Sequence, residues 1–404
     1  MNSLLATTLC LLLSSSLALR AADWPAYQHD NLRSGITAEA LDAASLTRSW
    51  VFTAKTPPQP AWHGKMKRDS WAKRTFQADT FDYDKAFNLI AADGKVIFAS
   101  SSENACVALN AADGAELWRA FATGAVRCAP AYDAGKVYFG SDDGQAYCVN
   151  AADGAAVWKY RGGPSDVLIA SDHKFVSRYA CRTGVLVQGG KAWCGFGLLT
   201  WHGNYLAKLD AATGAEEKKT YHSGTTYSFE GTLLADASNI YVTQGKNSPA
   251  SFQLSDAASL GTFPGCGGTF ATLSADGHLF HGPGHRGKRV DFMQESTAST
   301  RADVATHEFL SRIIVNGADR FGIYRDSVKA TGAHAWTQGV ERPVTLILGG
   351  TTLYVGAHDK VIAYDTATGN VLAILPVDGD AYCLAIADGK LFVSTHTGKI
   401  YCFS

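Results

Sequence analysis

A repeated motif limits what this chain can fold into. Residues 108–118 read ALNAADGAELW and residues 148–158 read CVNAADGAAVW, so that the closing tryptophans, Trp118 and Trp158, lie 40 residues apart. Before each copy, a turn is followed by a short run of alternating or continuous apolar residues, which is strand behaviour. A period of this length is typical of a four-stranded blade in a β-propeller. The repeat therefore predicts an all-β propeller.

The turn inside the motif has a simple physical basis. Asn110 and Asp113 precede Gly114, which can take the left-handed backbone of a tight turn while the polar side chains cap neighbouring amides. The tryptophan is expected to pack between neighbouring blades, because a single blade has two apolar faces that it cannot bury alone. Later copies keep the turn but carry Lys218 and Ala373 at the tryptophan position.

The number of blades follows from the number of strand groups. Eight groups can be counted, and their first strands are expected to begin near Ala86, Arg127, Arg182, Glu230, Thr269, Ser311, Pro343 and Ala381. The last group stops at Ser404 after three strands, and residues 46–53 supply a matching fourth strand that would close the ring. We therefore predict an eight-bladed propeller of four-stranded antiparallel blades. Seven blades are the alternative, because residues 291–336 match the repeat poorly.

The N-terminus has the features of a secretory signal peptide. Residues 4–19 are apolar, and small residues such as Ala18 and Ala22 follow, so that residues 1–22 are interpreted as the signal peptide. The apolar run is short for a membrane span, which makes an uncleaved anchor the weaker alternative. We expect residues 23–404 to form one propeller domain in the periplasm or outside the cell, with no transmembrane span in the mature chain.

The charge balance excludes one class of partner. The chain has 36 Lys and Arg residues against 37 Asp and Glu residues, so no overall field attracts it to nucleic acid or to an anionic membrane. Any recognition by charge must be local. Cleavage would remove Cys10 and leave eight cysteines, most of them in strand patterns where a free thiol acts as a small buried hydrophobe. Buried thiols are the expectation, and a disulfide is the alternative.

At these residues the chain resembles the PQQ-repeat propellers, named after pyrroloquinoline quinone. Their tryptophan-docking motif is A-x-D/N-x-x-T/D-G-x-x-x-W, which residues 108–118 match in full. The opening DWPAYQHDNLRSGIT and several longer segments, including FEGTLLADASNIYVTQGKNSPA, look like uncharacterised secreted members of this group. The resemblance covers essentially all of the mature chain. It implies the propeller fold and does not specify an activity.

The resemblance also bears on cofactors. Quinoprotein alcohol dehydrogenases of this group hold the quinone over Ca²⁺ beneath a disulfide between adjacent cysteines. None of the nine cysteines here is adjacent to another, and the calcium-binding and catalytic residues have no recognisable counterparts. We therefore expect no cofactor, with pyrroloquinoline quinone and Ca²⁺ as the alternative. The group also includes an outer-membrane assembly lipoprotein that is a non-enzymatic scaffold, and this chain lacks the lipid-attachment cysteine.

Aligning the repeats on their turns suggests a binding site. Arg127, Arg182 and Glu230 occupy the same position in three successive blades, at the start of the innermost strand and beside the central channel. Other charged residues fall close to that position: Arg178, Arg312, Arg342 and Asp380. Arginine forks beside a carboxylate could bind an anionic or zwitterionic ligand. Alternatively, these charges pair with one another around a wet channel mouth.

The longer loops are expected on the same face as that mouth, where rigid scaffolds commonly carry binding residues. One of them, Lys65–Arg74, is basic and flanked by tryptophans, and could clamp an acidic partner or a glycan; a solvated loop is the simpler interpretation. The glycine-rich run Gly282–Lys288 lacks the helix that phosphate binding requires. His278 and His281 point to opposite faces of a strand, although His281 with His285 leaves a metal site open.

These observations predict an exported propeller that acts as a binding scaffold through its loop-rich face and channel mouth. Its partner would be a protein, a glycan or a small anionic ligand, and no catalytic residue or metal site is assigned. The alternative is a quinoprotein-like oxidoreductase, or another enzyme, acting on small alcohols or carbohydrates.

Overall fold

The computed structural model of the protein describes residues 22–62, 84–171, 174–245, 247–265, 267–268, 270–282, 293–307 and 312–404. Several predicted features lie outside these ranges: residues 1–21 of the expected signal peptide (residues 1–22), the basic segment Lys65–Arg74, Cys266 and most of Gly282–Lys288, including His285. Within them the chain is all β, apart from one turn of 3₁₀-helix at Thr200–His202.

Strands in the first six sheets follow one another as antiparallel meanders, as the sequence predicts. Blade 1 comprises Leu89–Ala92, Lys95–Ser100, Ala105–Asn110 and Glu116–Phe121. Blade 2 comprises Ala131–Asp133, Lys136–Gly140, Gln145–Asn150 and Ala156–Arg161. Blade 3 comprises Val185–Gln188, Lys191–Phe196, Asn204–Asp210 and Glu216–His222. Blade 4 comprises Leu234–Ala235, Asn239–Val242, Ala250–Gln253 and Ser259–Thr262. Blade 5 comprises Phe270–Leu273, His278–Gly282, Met293–Thr297 and Asp303–His307. Blade 6 comprises Ile313–Asn316, Asp319–Ile323, Ser327–Thr331 and Trp336–Gly339.

The last two blades form a continuous sheet because two of their strands are long. Blade 7 is built from Thr345–Gly349, Thr352–Asp365 and the first part of Val371–Ala387. Blade 8 is built from the rest of Val371–Ala387, Lys390–Thr395, Lys399–Phe403 and Arg48–Thr53. Trp50 pairs with Cys402 across the last two of these strands. The prediction that an N-terminal strand completes the last blade is confirmed.

Four blade interfaces are held by a docked tryptophan. Each indole Nε1–H donates to a backbone carbonyl of the following blade: Trp50 to Ala111 (3.2 Å), Trp118 to Ala151 (2.9 Å), Trp158 to Ala211 (3.0 Å) and Trp336 to Thr366 (2.9 Å). Each ring also lies against the turn glycine of that blade, so that a Cβ at Gly154 would come within 2.8 Å of the Trp118 ring. The core therefore lies between blades, where apolar faces stack.

One end of the channel is closed by residues 23–37, here called the plug. Its backbone hydrogen-bonds to the innermost strands of five blades, through Trp24 with Ala91, Pro25 with Tyr132, Asn31 with Ala235, Leu32 with Leu273 and Gly35 with Leu348. Arg33 is buried in the plug and donates Nε–H to the carbonyl of Leu233 at 2.9 Å. Burial lowers the pKa of Arg33 to about 10. These contacts all lie near the far ends of the innermost strands, opposite the mouth where those strands begin.

The seven cysteines that the structure describes are free and buried. Burial raises the pKa of each thiol, to about 11 for Cys383 and to about 12 for Cys128. These are inert core residues, as the strand patterns predict. In the described ranges, no helix is both long and apolar enough to cross a bilayer.

Candidate functional site

A buried ion network lies at the channel mouth in blades 2 to 4. Arg127 donates Nε–H to Asp142 Oδ2 and Nη1–H to Asp84 Oδ2, each at 2.7 Å, and also reaches the carbonyl of Gln59. Asp142 sits in the turn between the second and third strands of blade 2, and Asp84 precedes blade 1. The first guanidinium is thus held between two carboxylates.

The second guanidinium uses the same central carboxylate. Arg182 donates Nε–H to Asp142 Oδ1 at 2.7 Å and Nη2–H to Asp142 Oδ2 at 3.1 Å, while its Nη1 lies 3.6 Å from Glu230 Oε1. Arg182 and Glu230 are also joined through their backbones by a parallel bridge between blades 3 and 4. Since Arg182 is only 1% exposed, its charge is tied to these partners rather than to solvent.

The pKa values of the two carboxyls are shifted in opposite directions. Burial alone would raise the pKa of Asp142, but Arg182 and Arg127 outweigh it and hold that pKa below its usual range. Burial raises the pKa of Asp84, and Arg127 compensates only in part. Asp142 is therefore the anionic centre of the network, whereas ionising Asp84 costs more free energy than ionising an ordinary aspartate.

A two-stranded hairpin lies beside this network. It is formed by Leu168–Ser171 and Lys174–Ser177, inserted between blades 2 and 3. The amide of Ser177 donates to the carbonyl of Asp142 at 2.7 Å, which anchors the hairpin beside the mouth. Burial, and then the nearby Arg127, lower the pKa of Lys174, so this ammonium adds a further charge close to the network.

A second cluster occupies the mouth at blades 7 and 8, with Asp380 at its centre. His358 Nδ1 lies 2.7 Å from Asp380 Oδ1, and Arg342 Nη2 lies 3.4 Å from the same oxygen. The backbone amide of Asp380 donates to His396 Nδ1 at 2.8 Å. The side chain of Arg342 is 53% exposed, in contrast to the buried arginines of the first network.

The other two predicted arginines each lie over an aromatic ring. Arg178 lies over the Tyr179 ring, with its guanidinium carbon 5.8 Å from the ring centroid, beside the inserted hairpin. Arg312 lies over the Phe270 ring at 4.7 Å. His278 contacts Glu295 rather than His281, and no group of three or more His, Cys, Asp or Glu side chains in the described ranges is placed to hold a metal ion.

The structure thus brings Arg127, Arg182 and Glu230 together, as the repeat alignment predicts. Their contact with a ligand stays a prediction, because both guanidiniums are already engaged by carboxylates. Sequence reasoning missed Asp142 and Asp84, which provide those carboxylates. Asp142 lies in the run SDDG, which indicates only a turn, and Asp84 aligns with Ala125 and Ala180 in the next two repeats.

These residues do not fit a bound quinone and Ca²⁺. The carboxylates Asp142 and Asp84 already accept hydrogen bonds from arginine, and two guanidiniums beside them would repel a divalent cation. The sequence also has no adjacent pair of cysteines to form the cover.

Comparison with known proteins agrees with the propeller fold. The PQQ_2 family model, described as outer membrane protein assembly factor BamB, matches residues 37–260, which is more than half of the chain. The chain belongs to the PQQ_2 family. The match covers the closing strand, blades 1 to 3 and most of blade 4, where the docked tryptophans are concentrated. No curated protein matches the sequence.

Solved structures show the same fold over almost the whole chain. Two quinohemoprotein alcohol dehydrogenases, ADHIIG from Pseudomonas putida HK5 and the enzyme from Comamonas testosteroni, are each 13% identical to this chain, with a TM-score of 0.67. The alignments cover 95% and 94% of this chain and 80% of each dehydrogenase. A europium-containing methanol dehydrogenase is 10% identical, with a TM-score of 0.64 over 95% of this chain and 98% of its own. At such identities the similarity shows the fold alone.

Proposed function

We propose that the protein is an exported binding scaffold that takes its ligand at the channel mouth. The observation that carries this proposal is the difference between the two ends of the channel. The plug closes one end with backbone hydrogen bonds, while the other end carries fixed charges and the inserted hairpin. The mouth therefore presents fixed charges on a rigid scaffold, and such sites favour binding.

The accessible contacts lie at blades 7 and 8. The guanidinium of Arg342 lies 3.4 Å from Asp380, and its side chain is 53% exposed, so it is accessible to a ligand. His358 and His396 border the same carboxylate. Guanidinium and imidazole donors suit a ligand with a carboxylate or phosphate group. We propose that Arg342 makes the main contact, with Asp380 fixing its position, and that Arg127, Arg182 and Glu230 form the rigid wall.

Export, and a single propeller domain over residues 23–404, are parts of the same proposal. They are supported by the apolar N-terminus and by the family description, which names an outer membrane factor. An oxidoreductase is the weaker candidate, because the donor set at the mouth does not fit the quinone and calcium pair.

The test uses the purified mature chain, titrated with citrate, glutarate, inorganic phosphate and glucose 6-phosphate by calorimetry. We expect at least one of these anions to bind saturably and Arg342→Ala to weaken it by about tenfold, the loss of one charge-assisted contact. Arg48→Ala removes an exposed arginine of the closing strand and serves as the matched control. If none of the four anions binds, or if Arg342→Ala binds as well as the wild type, the proposal is wrong. An adduct with pyrroloquinoline quinone and Ca²⁺ in native mass spectrometry would favour the oxidoreductase instead.

A further inference from the structure

Two large aromatic side chains stand exposed together on blade 3. Trp201 is 68% exposed on the 3₁₀ turn between the second and third strands, and Tyr221 is 59% exposed on the outermost strand. Gly203 lies directly against the Tyr221 ring, where a Cβ would come within 2.5 Å of Cε2. A glycine at this position therefore brings the turn that carries Trp201 up to Tyr221. We call Trp201, Tyr221 and the polar groups beside them the aromatic platform.

Ring contacts hold Tyr221 in place. The Tyr221 ring lies 5.2 Å from the Tyr205 ring, and Tyr205 packs edge-on to the buried Tyr179 at 5.7 Å. Three rings thus run from the core to the surface. Trp201 packs edge-on to His202 at 5.9 Å. Exposed rings that are held in place lose little conformational freedom on binding.

Polar atoms beside the rings have hydrogen bonds left to make. Within the described ranges, Arg178 Nε and His202 Nδ1 are buried atoms without a hydrogen-bond partner. Burial, and then the charge of Arg178, lower the pKa of His202, so the guanidinium lies close enough to disfavour the charged imidazole. An unpaired buried donor or acceptor is costly, and a ligand that satisfies it gains that free energy.

We propose that the aromatic platform binds a neutral carbohydrate. The C–H face of a sugar ring stacks on an aromatic face, whose electron density is negative. Sugar hydroxyls both donate and accept, so they can pair with the guanidinium N–H and with either tautomer of His202. An apolar side chain from a protein partner would stack equally well but would leave both polar atoms unpaired. The combination of two rings with two unpaired polar atoms therefore favours a sugar over a protein.

This site does not rest on the function proposed for the mouth. Arg178 lies outside both mouth clusters. Within the described ranges, no contact of Trp201 or Tyr221 involves a residue of either cluster. Arg342→Ala is accordingly expected to leave carbohydrate binding unchanged, which separates failure of one proposal from failure of the other.

The experiment titrates the mature chain with four neutral hexasaccharides: cellohexaose, xylohexaose, chitohexaose and maltohexaose. Tryptophan fluorescence and calorimetry are the readouts. We expect saturable binding of at least one sugar, with quenching, and about tenfold or greater weakening in Trp201→Ala and Tyr221→Ala. Arg178→Gln should weaken binding severalfold. Phe121→Ala is the matched control, since Phe121 is 69% exposed on blade 1, away from the platform.

Thermal unfolding would check that each variant is folded. Folding is expected, because all four substitutions remove exposed or half-buried side chains. Absence of binding by every one of the four sugars overturns the proposal. So does binding that Trp201→Ala leaves unchanged. A protein complex that depends on Trp201, in the absence of sugar binding, would assign the platform to a protein partner and would equally overturn it.

Discussion

Blades 8, 1, 2 and 3 are joined by docked tryptophans, whereas blades 3 to 6 pack without them. Strand pairing places Lys218, Gly261 and Ala305 where Trp118 stands in blade 1. In the first region the indole and the turn glycine of the next blade form an apolar contact with one hydrogen bond. In the second region the interfaces use other groups, and the clearest case lies between blades 5 and 6.

That interface is built on a buried carboxylate. Glu295 takes the position of Ala108, and its oxygens lie 2.5 Å from His278 Nδ1 and 2.6 Å from His307 Nε2. Arg320 of blade 6 approaches the same carboxylate at 4.0 Å. Two interfaces with the same backbone geometry are thus stabilised by different physics. The stability of the apolar interface is expected not to depend on pH, whereas the stability of the polar interface is expected to depend on the ionisation of Glu295.

The largest effect is expected from Trp118→Ala. Removing a buried indole leaves a cavity between blades 1 and 2 and an unpaired carbonyl at Ala151, with a cost of about 3–5 kcal/mol in the free energy of unfolding. Guanidinium chloride unfolding measures it. Trp201→Ala, which removes an exposed indole, should change stability by less than about 0.5 kcal/mol. Equal losses in the two variants would show that docking does not hold the ring.

A second comparison separates ring contact from backbone conformation. Gly154 and Gly135 both have left-handed backbones, with φ of 72° and 77°, but only Gly154 faces a tryptophan. Gly135→Ala should cost about 1–2 kcal/mol, the penalty of the left-handed region alone. Gly154→Ala should cost about 1–3 kcal/mol more, because its Cβ would displace the Trp118 ring. Equal costs would rule out close contact between indole and turn.

The polar interface is tested by Glu295→Gln. Burial alone would raise the pKa of Glu295, but the hydrogen bonds from His278 and His307 outweigh it, so the pKa lies below its ordinary value of 4.5. A carboxyl with a lowered pKa stabilises the fold above that ordinary value, and this contribution is lost as the pH falls through the folded pKa. At pH 7 the variant should lose about 1–3 kcal/mol.

Urea unfolding at pH 7, 5 and 3.5 gives the decisive readout. The difference in unfolding free energy between wild type and Glu295→Gln should become smaller as the pH falls. The corresponding difference between wild type and Trp118→Ala should stay constant. A Glu295→Gln difference that is independent of pH would mean that the carboxylate charge does not contribute.

The smallest effect concerns the turn of blade 4. Ala257 has φ of 61°, at the position where blades 1 to 3 have glycine. Ala257→Gly should stabilise the protein by about 1 kcal/mol, because glycine adopts this backbone without steric cost. Thermal unfolding checks it, with Ala112→Gly, at a turn alanine without a left-handed backbone, as the control that gains nothing. A loss in both variants would show that the backbone there is not strained.

The same contrast explains what could be predicted from the sequence. Eight first strands and the closing strand follow from the turn and strand repeat, which survives even where the tryptophan is lost. Residues 291–336 match the repeat motif poorly because blade 5 has Glu295 and Ala305 where blade 1 has Ala108 and Trp118. A polar interface made of residues from several strands has no fixed spacing, so no linear motif marks it.

Only some of the residues at the channel mouth can be predicted from the sequence. Arg127, Arg182 and Glu230 are found together because they occupy one repeat position. Asp142 and Asp84 come from a turn and from a segment before blade 1, and only folding brings them to the arginines. The inserted hairpin was visible in the sequence only as an interruption between blades, since its short strands lack a turn signal of the repeat kind.

The plug and the closing strand have a consequence for the order in which the molecule is completed. Residues 48–53 pair with residues 399–403, and Ile36–Thr37 pairs with Leu348 and Gly349. During synthesis, these segments must therefore wait for partners that are made much later. Contacts between residues so distant in sequence form slowly. Until residues 399–403 are made, blades 1 to 7 are an open arc with two uncovered edges, and the pairing of these residues with residues 48–53 converts that arc into a ring.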